Sequence, residues 1–194
     1  MLFHSLRVPS RSLTLAALAL ALLAFPAAAA WPNDPTVNVP VSTAAGNQIE
    51  PSAVSDGAGG MIVVWGDSRL GTSDIYAQRI SASGTALWTS NGVAVCTATG
   101  EQGNPVLVSD GSGGVVIAWG DARSATSDIY VQRLNSNGVA QWTTNGVALC
   151  TATGEQSHPK ITADGTGGAI AVWDDNRNGN TDIYARRVSS RSEE

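Results

Sequence analysis

The chain has few of the residue types that catalytic and metal sites most often use. Its 194 residues include two cysteines and two histidines, and only one of the histidines, His158, lies beyond residue 30. No Cys-x-x-Cys pair, histidine cluster or phosphate-binding glycine loop is present, so neither a zinc site nor a nucleotide site is indicated. We therefore predict that the protein is not an enzyme and has no required cofactor.

Basic residues are also scarce. All 16 acidic residues but only 9 of the 11 basic residues follow residue 30, which gives that part of the chain a formal charge of −7. An acidic surface without a basic cluster argues against nucleic acid and against anionic membranes as partners. No segment after residue 30 is apolar for long enough to cross a bilayer core of about 30 Å. We predict no nucleic-acid partner and no membrane span.

The one long apolar run lies near the N-terminus. Two arginines precede an apolar stretch, 13–25, which Pro26 ends, and four alanines follow, of which Ala28-Ala29-Ala30 form a small-residue cleavage site. A basic start, a short apolar centre and small residues before a cleavage point are typical of a secretory signal peptide. We predict that residues 1–30 are a signal peptide, with a retained N-terminal anchor as the alternative. Residues 31–194 are then secreted, periplasmic or at the cell surface.

An internal repeat of 54 residues dominates the rest of the chain. Copies 49–102 and 103–156 are identical at 33 of 54 positions without a gap, and 157–194 begins a third copy. A constant period of this size is typical of solenoids, propellers or arrays. No stretch shows helical periodicity, and each copy alternates short apolar runs with glycine-rich turns.

The pattern within a copy predicts four short strands. In copy one they are 51–55, 61–65, 74–80 and a fourth that starts at 85–88 and continues, after an Asn-Gly turn, through 93–96. The second strand is apolar on both faces, which indicates burial on both sides. Four-stranded meanders stacked face to face are propeller blades. We predict an all-β fold of β-propeller-type four-stranded blades in three tandem repeats, with a β-solenoid as the alternative.

Three repeated motifs resemble those of exported bacterial β-propeller repeat proteins. In copy one they are Ser55-Asp56-Gly57 with Gly59-Gly60, then Trp65, Asp67 and Arg69, then Asp74-Ile75-Tyr76-Ala77-Gln78-Arg79. They recur in copy two, and copy three departs at Ala163, Asp174 and Arg186. The resemblance covers about residues 42–190. It implies the fold but says little about activity, because propellers host many functions. Proteins with such repeats often carry more copies and a C-terminal sorting domain.

The ends of the repeat region raise the question of closure. Residues 39–48 align with 93–102, so we predict that 36–47 supplies an outer strand, whereas copy three ends before its fourth strand. The blades are then 49–102, 103–156 and 157–194. Three blades are fewer than the four to eight of a closed ring. We expect a fragment of a longer repeat protein, and the alternative is a homodimer that closes a six-bladed ring.

An Asp-Arg-Asp set recurs in every copy. Its members are Asp67, Arg69, Asp74, Asp121, Arg123, Asp128, Asp175, Arg177 and Asp182. We predict that each arginine lies between two carboxylates and ties a loop to two strands, because guanidinium groups bind carboxylates bidentately. A calcium site in each blade is the alternative, since carboxylates and loop carbonyls are hard oxygen ligands. Its occurrence in all copies favours a structural role.

Two further tryptophans, Trp88 and Trp142, are the candidates for ligand contact. They fall on the predicted outer strand, where exposed indole rings stack on sugars, and packing between adjacent blades is the alternative. The remaining repeated tryptophans are predicted to be core. Cys96 and Cys150 occupy equivalent positions and are predicted to be small buried thiols. His158, whose counterparts are Glu50 and Asn104, is interpreted as a variable surface position.

These features support one leading hypothesis about function. Near-identical blades without unique chemical groups favour a secreted, non-catalytic module that binds carbohydrate or protein at a surface, with several equivalent sites acting together. One alternative is part of a secreted, glycosidase-like hydrolase, for which Asp174 beside Asp175 is the one asymmetric carboxylate pair. The other is a purely structural scaffold.

Overall fold

The computed structural model describes residues 31–191, and every regular element in that range is a β-strand. No helix within it could span a membrane. The predicted signal peptide lies outside the described residues. The strands are β1 (Gln48–Ser55), β2 (Met61–Asp67), β3 (Asp74–Ile80), β4 (Val93–Cys96), β5 (Gln102–Ser109), β6 (Val115–Asp121), β7 (Asp128–Leu134), β8 (Val147–Cys150), β9 (Gln156–Ala163), β10 (Ala169–Asp175) and β11 (Asp182–Val188).

The strands form three antiparallel meanders, one for each copy of the repeat. The sheet orders are β1-β2-β3-β4, β5-β6-β7-β8 and β9-β10-β11. The first strands β1, β5 and β9 contact one another in turn, and β2 and β6 each contact the first strand of the following sheet. The prediction of an all-β fold with propeller-type blades is confirmed. We call the three sheets blades one, two and three.

The hydrophobic core lies between the blades. Successive side chains of a strand point to opposite faces, so Ile62 and Val64 of β2 pack towards blade two, while Val63 and Trp65 face the other way. The strand β6 repeats this arrangement, with Val116 and Ala118 facing blade three. Burying an aliphatic side chain of this size stabilises by about 1.5–3 kcal/mol. Burial on both faces explains the unbroken apolar runs in the sequence.

A buried aspartate organises the turn between the first two strands of each blade. In blade one, Asp56 Oδ1 accepts hydrogen bonds from the backbone N–H groups of Ala58 and Gly60, both at 2.8 Å. Arg79 Nε of β3 donates to Asp56 Oδ2 at 3.0 Å. The Ser-Asp-Gly motif is thus a turn whose aspartate also anchors the third strand. Asp110 and Asp164 make the same bonds in the other blades.

The predicted start of the fourth strand at 85–88 is wrong. This segment makes a single bridge, between Ile80 and Ala86, and the strand itself is only 93–96. Here the buried side chain of Gln78 makes hydrogen bonds to the backbone in place of the regular hydrogen bonds of a strand pair. Its Oε1 accepts from Trp88 N at 2.9 Å, and its Nε2 donates to Thr89 O at 2.8 Å.

Residues 36–47, predicted as an outer strand, contain no strand. β4 and β8 pair with the third strands of their own blades, and no third strand lies beside 36–47. The segment packs on blade one instead. Val41 contacts the cluster that includes Trp65, and Thr43 N donates to Asn91 Oδ1 at 2.9 Å.

Candidate functional site

The Trp-Asp-Arg motif builds a buried cluster at the end of each second strand. In blade two, Asp121 is fully buried. Trp119 Nε1 donates to its Oδ2 at 2.8 Å, and Arg123 donates to both oxygens, at 2.8 and 2.6 Å. The guanidinium carbon lies 3.8 Å from the centre of the Tyr130 ring. Equivalent clusters form around Asp67 and Asp175.

Hydrogen bonding outweighs burial in setting the charge of these aspartates. Burial acts to raise the pKa of Asp121, but the bonds from Arg123 and Trp119 together hold that pKa below its usual value of 3.8. The pKa of Asp67 is lowered in the same way, and the bond from Arg177 leads the lowering at Asp175. A charge-assisted bidentate pair favours the ionised form. All three aspartates are therefore anions at neutral pH.

Each cluster also joins one blade to the next. Arg123 Nη2 donates to Asn145 O at 2.8 Å within its own blade and to Cys96 Sγ of blade one at 3.3 Å. Arg69 makes the same contact to Ser42 Oγ at 3.4 Å, and Arg177 reaches Cys150 Sγ at 3.2 Å. The repeated Ser/Cys position thus receives an arginine from the following blade.

Both cysteines are free thiols in contact with these arginines. Cys96 is buried and Cys150 is half-buried. Burial raises the pKa of the Cys96 thiol to about 12, so it stays protonated at neutral pH and is a poor nucleophile. The prediction of small thiols with a packing role holds for Cys96, and Cys150 is more accessible than predicted.

The prediction that each arginine lies between two carboxylates is wrong for the second carboxylate. Within residues 31–191, Asp74 makes no ion pair with Arg69. Asp74 Oδ2 is buried without a hydrogen-bond partner. Burial raises the pKa of Asp74, and the nearby negative charges of Asp67 and Glu101 raise it further. Its equivalent Asp128 accepts a bond from Ser124 Oγ at 2.7 Å, whereas Asp182 is exposed.

In blade two, the second aspartate has a partner in the glutamine that opens the next blade. Rotating the amide of Gln156 lets its nitrogen donate to Asp128 Oδ1 at 3.3 Å and to Ala152 O at 3.2 Å. At the preceding junction, Asp74 Oδ2 and Gln102 Oε1 are both buried without partners, and Gln102 N donates to Ser73 O at 2.8 Å. The second aspartate therefore belongs to the junction between blades.

The geometry offers no support for calcium within the described residues. Between residues 31 and 191, no group of three or more His, Cys, Asp or Glu side chains converges to hold a metal ion. The first aspartate of each set is also occupied on both oxygens by arginine and tryptophan, as at Asp121. A cation would have to displace a guanidinium group, which is held by both charge and stacking.

The two candidate stacking tryptophans lie between blades. Trp142 is only 9% exposed and packs in the core shared by blades two and three. Trp88 is half-buried against the preceding core. Their Nε1 atoms donate to Ser190 O at 3.3 Å and Ser136 O at 3.1 Å, respectively. This arrangement corresponds to the alternative of packing between blades, since Trp142 leaves little ring surface for a sugar.

A cleft of about 330 Å³ runs along the first strands of the three blades, and we call it the inner-strand cleft. It forms because β1, β5 and β9 lie side by side. Its lining residues are Ile49, Glu50, Ser73, Glu101, Gln102, Gly103, Asn104, Gly120, Ala122, Ser127, Glu155, Ser157 and His158. Three of them are glutamates and none is a lysine or arginine. A second hollow, of about 260 Å³, continues from His158 to Asp174.

One position of the inner-strand cleft carries a different polar side chain in each blade. Glu50, Asn104 and His158 occupy it, with left-handed φ angles of 55°, 53° and 51°. Each precedes a proline, and the register between first and second strands shifts at the same place in every blade. A non-glycine residue held in this conformation costs about 1–3 kcal/mol, and such strain tends to occur at functional sites.

The sequence interpretation of His158 as a variable surface position was incomplete. The residue is exposed, but it lies in a cleft that three blades share. Asn104 N donates to Glu50 Oε2 at 2.6 Å, which links two members of this position directly. His158 Nδ1 lies 3.2 Å from Asp174 Oδ2. The available signal was a change of chemistry before a proline that all copies retain.

No protein-family model and no curated protein matches the chain. Among solved structures it is similar to an endo-arabinase from Bacteroides thetaiotaomicron, with a TM-score of 0.50 and 15% identity, over 80% of this chain and 61% of that one. A glycosyl hydrolase from Bacteroides ovatus gives a TM-score of 0.45 and 16% identity, over 76% and 47%. The chain thus spans less than two thirds of either protein. The first likeness supports the fold alone, that of a β-propeller-type repeat protein.

Proposed function

We propose that the chain is a secreted, non-catalytic module that binds carbohydrate in the inner-strand cleft. The carrying observation is that three blades contribute exposed polar side chains to one cleft, at a position where each blade carries a different polar group. Export rests on the N-terminal sequence and on the resemblance to exported repeat proteins. A cleft of about 330 Å³ lies within the usual range of ligand sites.

Carbohydrate suits the groups that the cleft presents. Carboxylate, amide and hydroxyl side chains line it together with backbone groups, and sugar hydroxyls both donate to and accept from such groups. The structurally similar endo-arabinase is by its name an enzyme of a polysaccharide. The interblade tryptophans do not enter this proposal, because they contact other blades.

Direct binding measurements test this proposal. We expect neutral oligosaccharides to bind the purified chain with affinities in the micromolar to millimolar range, about −8 to −4 kcal/mol, by isothermal titration calorimetry. Asn104→Ala removes a cleft side chain and should weaken binding, whereas Asn135→Ala lies outside the cleft and should not. A glycan array and calorimetry that both show no binding would contradict the proposal.

A glycosidase-like hydrolase is the second candidate, and the carboxylates of the cleft favour it. Glycosidases use two carboxyl groups about 5–10 Å apart, and Glu50, Glu101 and Glu155 line one cleft. Asp175 is unsuited to catalysis because arginine and tryptophan occupy both of its oxygens. Release of reducing sugar that is lost in Glu101→Gln would replace the binding-module proposal with this one.

We also propose that the module forms a homodimer in which residues 31–47 of one copy pack against the exposed edge of blade three of the other. Residues 31–47 make the same contacts with blade one that the outer segment of a blade makes with the following blade. Trp31 packs against Gly84 as Trp88 packs against Gly138 in the next blade, and Ser42 meets Arg69 as Cys96 meets Arg123. The sequence period does not reveal Trp31, because it is offset from the 54-residue spacing.

Blade three presents a complementary surface. Within residues 31–191, β11 pairs with β10 alone, and its edge residue Ile183 is 71% exposed. A hollow of about 250 Å³ beside it is lined by Trp173, Arg177 and Tyr184. In blade two the corresponding Arg123 donates to the carbonyl of Asn145, in the turn before the fourth strand. Segment 31–47 of a second copy would add a strand to β11.

Light scattering on a sizing column tests the dimer. We expect twice the mass of one chain for the unsubstituted protein. Ile183→Lys should weaken association by about tenfold or more, because it places a charge on the edge that the second copy covers. Leu70→Lys, at a residue 66% exposed in a loop of blade one, is the matched control and should leave the mass unchanged. A monomer at all concentrations would contradict the proposal.

A further inference from the structure

We infer that Glu50, Asn104 and His158 are specificity-determining residues, and that the inner-strand cleft takes neutral or amino-sugar ligands and rejects uronic acids. The inference rests on the proposed function, since it names the ligand class of that same cleft and the residues that distinguish one ligand from another. Three observations carry it: the convergence of the three blades, the left-handed backbone at this position, and the charge of the lining.

Because three blades line the inner-strand cleft, this position contributes a different side chain to the cleft from each blade. Some lining positions repeat, as Glu101 and Glu155 do, whereas Ile49, Gly103 and Ser157 are equivalent positions that differ from blade to blade. The Glu50 position offers a carboxylate in blade one, an amide in blade two and an imidazole in blade three. Asn104 N donates to Glu50 Oε2 at 2.6 Å, so neighbouring members of the set are in contact. A ligand that spans the cleft meets all three groups.

The backbone conformation points to selection for the side chains. Glycine adopts a φ near +50° without strain, and glycine occupies many positive-φ positions elsewhere in this chain. Two other left-handed residues, Asn91 and Asn145, fit the Asn-Gly turns they open. Glutamate has no such preference, whereas histidine, like asparagine, is enriched in this conformation. Keeping Glu50 where glycine is easier is explained by what its carboxylate binds, which is Asn104 N and, on this inference, a ligand in the cleft.

The charge of the cleft sets the class of ligand. Glu50, Glu101 and Glu155 line it, the adjoining hollow adds Asp174, and the lining contains no lysine or arginine. An anionic sugar would enter a negative field without a cationic partner, and like charges in a cleft repel. Hydroxyl and ammonium groups find acceptors there instead. Hexasaccharides with neutral, amino and uronic units are therefore the discriminating probes.

Glycine substitutions test the residues. We expect Glu50→Gly and His158→Gly to weaken binding of a neutral hexasaccharide by about tenfold or more. The melting temperature should stay the same or rise in His158→Gly because the backbone strain is relieved, whereas Glu50→Gly also loses the bond from Asn104 N. Asn91→Gly is the matched control, a left-handed residue outside the cleft, and should leave affinity unchanged. A purely structural role predicts the reverse, a lower melting temperature with unchanged affinity.

The outcomes separate this inference from the proposed function. If the unsubstituted chain binds none of the hexasaccharides, both are overturned. If it binds but the glycine variants at residues 50 and 158 bind equally well, the specificity role is overturned and carbohydrate binding stands. If the uronic hexasaccharide binds as tightly as the neutral one, the ligand class is overturned. Tighter binding of the neutral and amino probes, lost in both variants, supports the inference.

Discussion

Asp121→Ala is expected to lower the free energy of unfolding by about 3–5 kcal/mol, because it removes one partner of a buried ion pair and leaves the other uncompensated. The carboxylate is fully buried and accepts bonds from Trp119 Nε1 and from Arg123. Without it, the indole N–H loses its acceptor and the guanidinium group loses its counter-ion. Urea unfolding followed by tryptophan fluorescence measures the change.

Two further variants test whether the uncompensated charge of Arg123 causes this loss of stability. Asp174→Ala changes a partly exposed aspartate on β10 and is expected to alter stability by no more than about 0.5 kcal/mol. The double variant Asp121→Leu with Arg123→Met removes both charges together, and replacing a buried pair by apolar residues is often neutral or stabilising. If the double variant is as unstable as Asp121→Ala, the lost bonds from Trp119 Nε1 and Arg123 N explain the effect, and the unpaired charge does not.

The same ion pairs determine how stability responds to acid. The native pKa of Asp121 is lowered, as are those of Asp56, Asp67, Asp110 and Asp175. Their contribution is fully present above the ordinary aspartate pKa of about 3.8 and is lost as the pH falls through the lowered native values. The urea midpoint should be level near neutrality and fall below about pH 4. Asp121→Ala should show a shallower fall, and an equal fall would contradict the assignment.

Blade architecture could be predicted from this sequence because it depends on local patterns repeated without gaps. The apolar run 61–65 required burial on both faces, and the Asp56 turn required only backbone contacts within five residues. The bonds of Gln78 to Trp88 and Thr89 were not predictable in this way. The Gln78 side chain makes hydrogen bonds there in place of the backbone hydrogen bonds of a strand pair. The repeat shows that this glutamine recurs, but it does not show what the glutamine binds.

Contacts between blades were the part that sequence reasoning missed. Asp74 was assigned to Arg69, five residues away, because spacing within a copy suggested it. It lies instead at the junction with the following copy, where Gln102 N donates to Ser73 O at 2.8 Å. Trp31 was missed because it is offset from the period, although it occupies the place of Trp88 one blade earlier. The inner-strand cleft likewise exists only after three first strands converge.

Gly114→Ala is the second substitution with a large expected effect. Its cost comes from steric overlap and not from an unfavourable backbone conformation. Gly114 follows the turn in which Asp110 Oδ1 accepts from its N–H at 2.9 Å. A Cβ there would lie 2.7 Å from Asp110 Oδ2 and closer still to the backbone oxygen of Leu134. Because backbone cannot yield as a side-chain tip can, we expect a loss of about 3 kcal/mol or more.

The matched control lies three residues earlier in the same turn. Gly111 has a φ of +75°, and a Cβ there would meet nothing within 4 Å, so Gly111→Ala carries conformational strain alone, about 1–2 kcal/mol. Urea unfolding of both variants should therefore rank Gly114→Ala as the less stable. The loss at Gly114 should also disturb the bond from Arg133 Nη2 to Asp110 Oδ2, which now spans 2.8 Å and holds the third strand to the turn. Equal losses would mean that the turn moves freely enough to admit a methyl group, and that Asp110 does not anchor the blade.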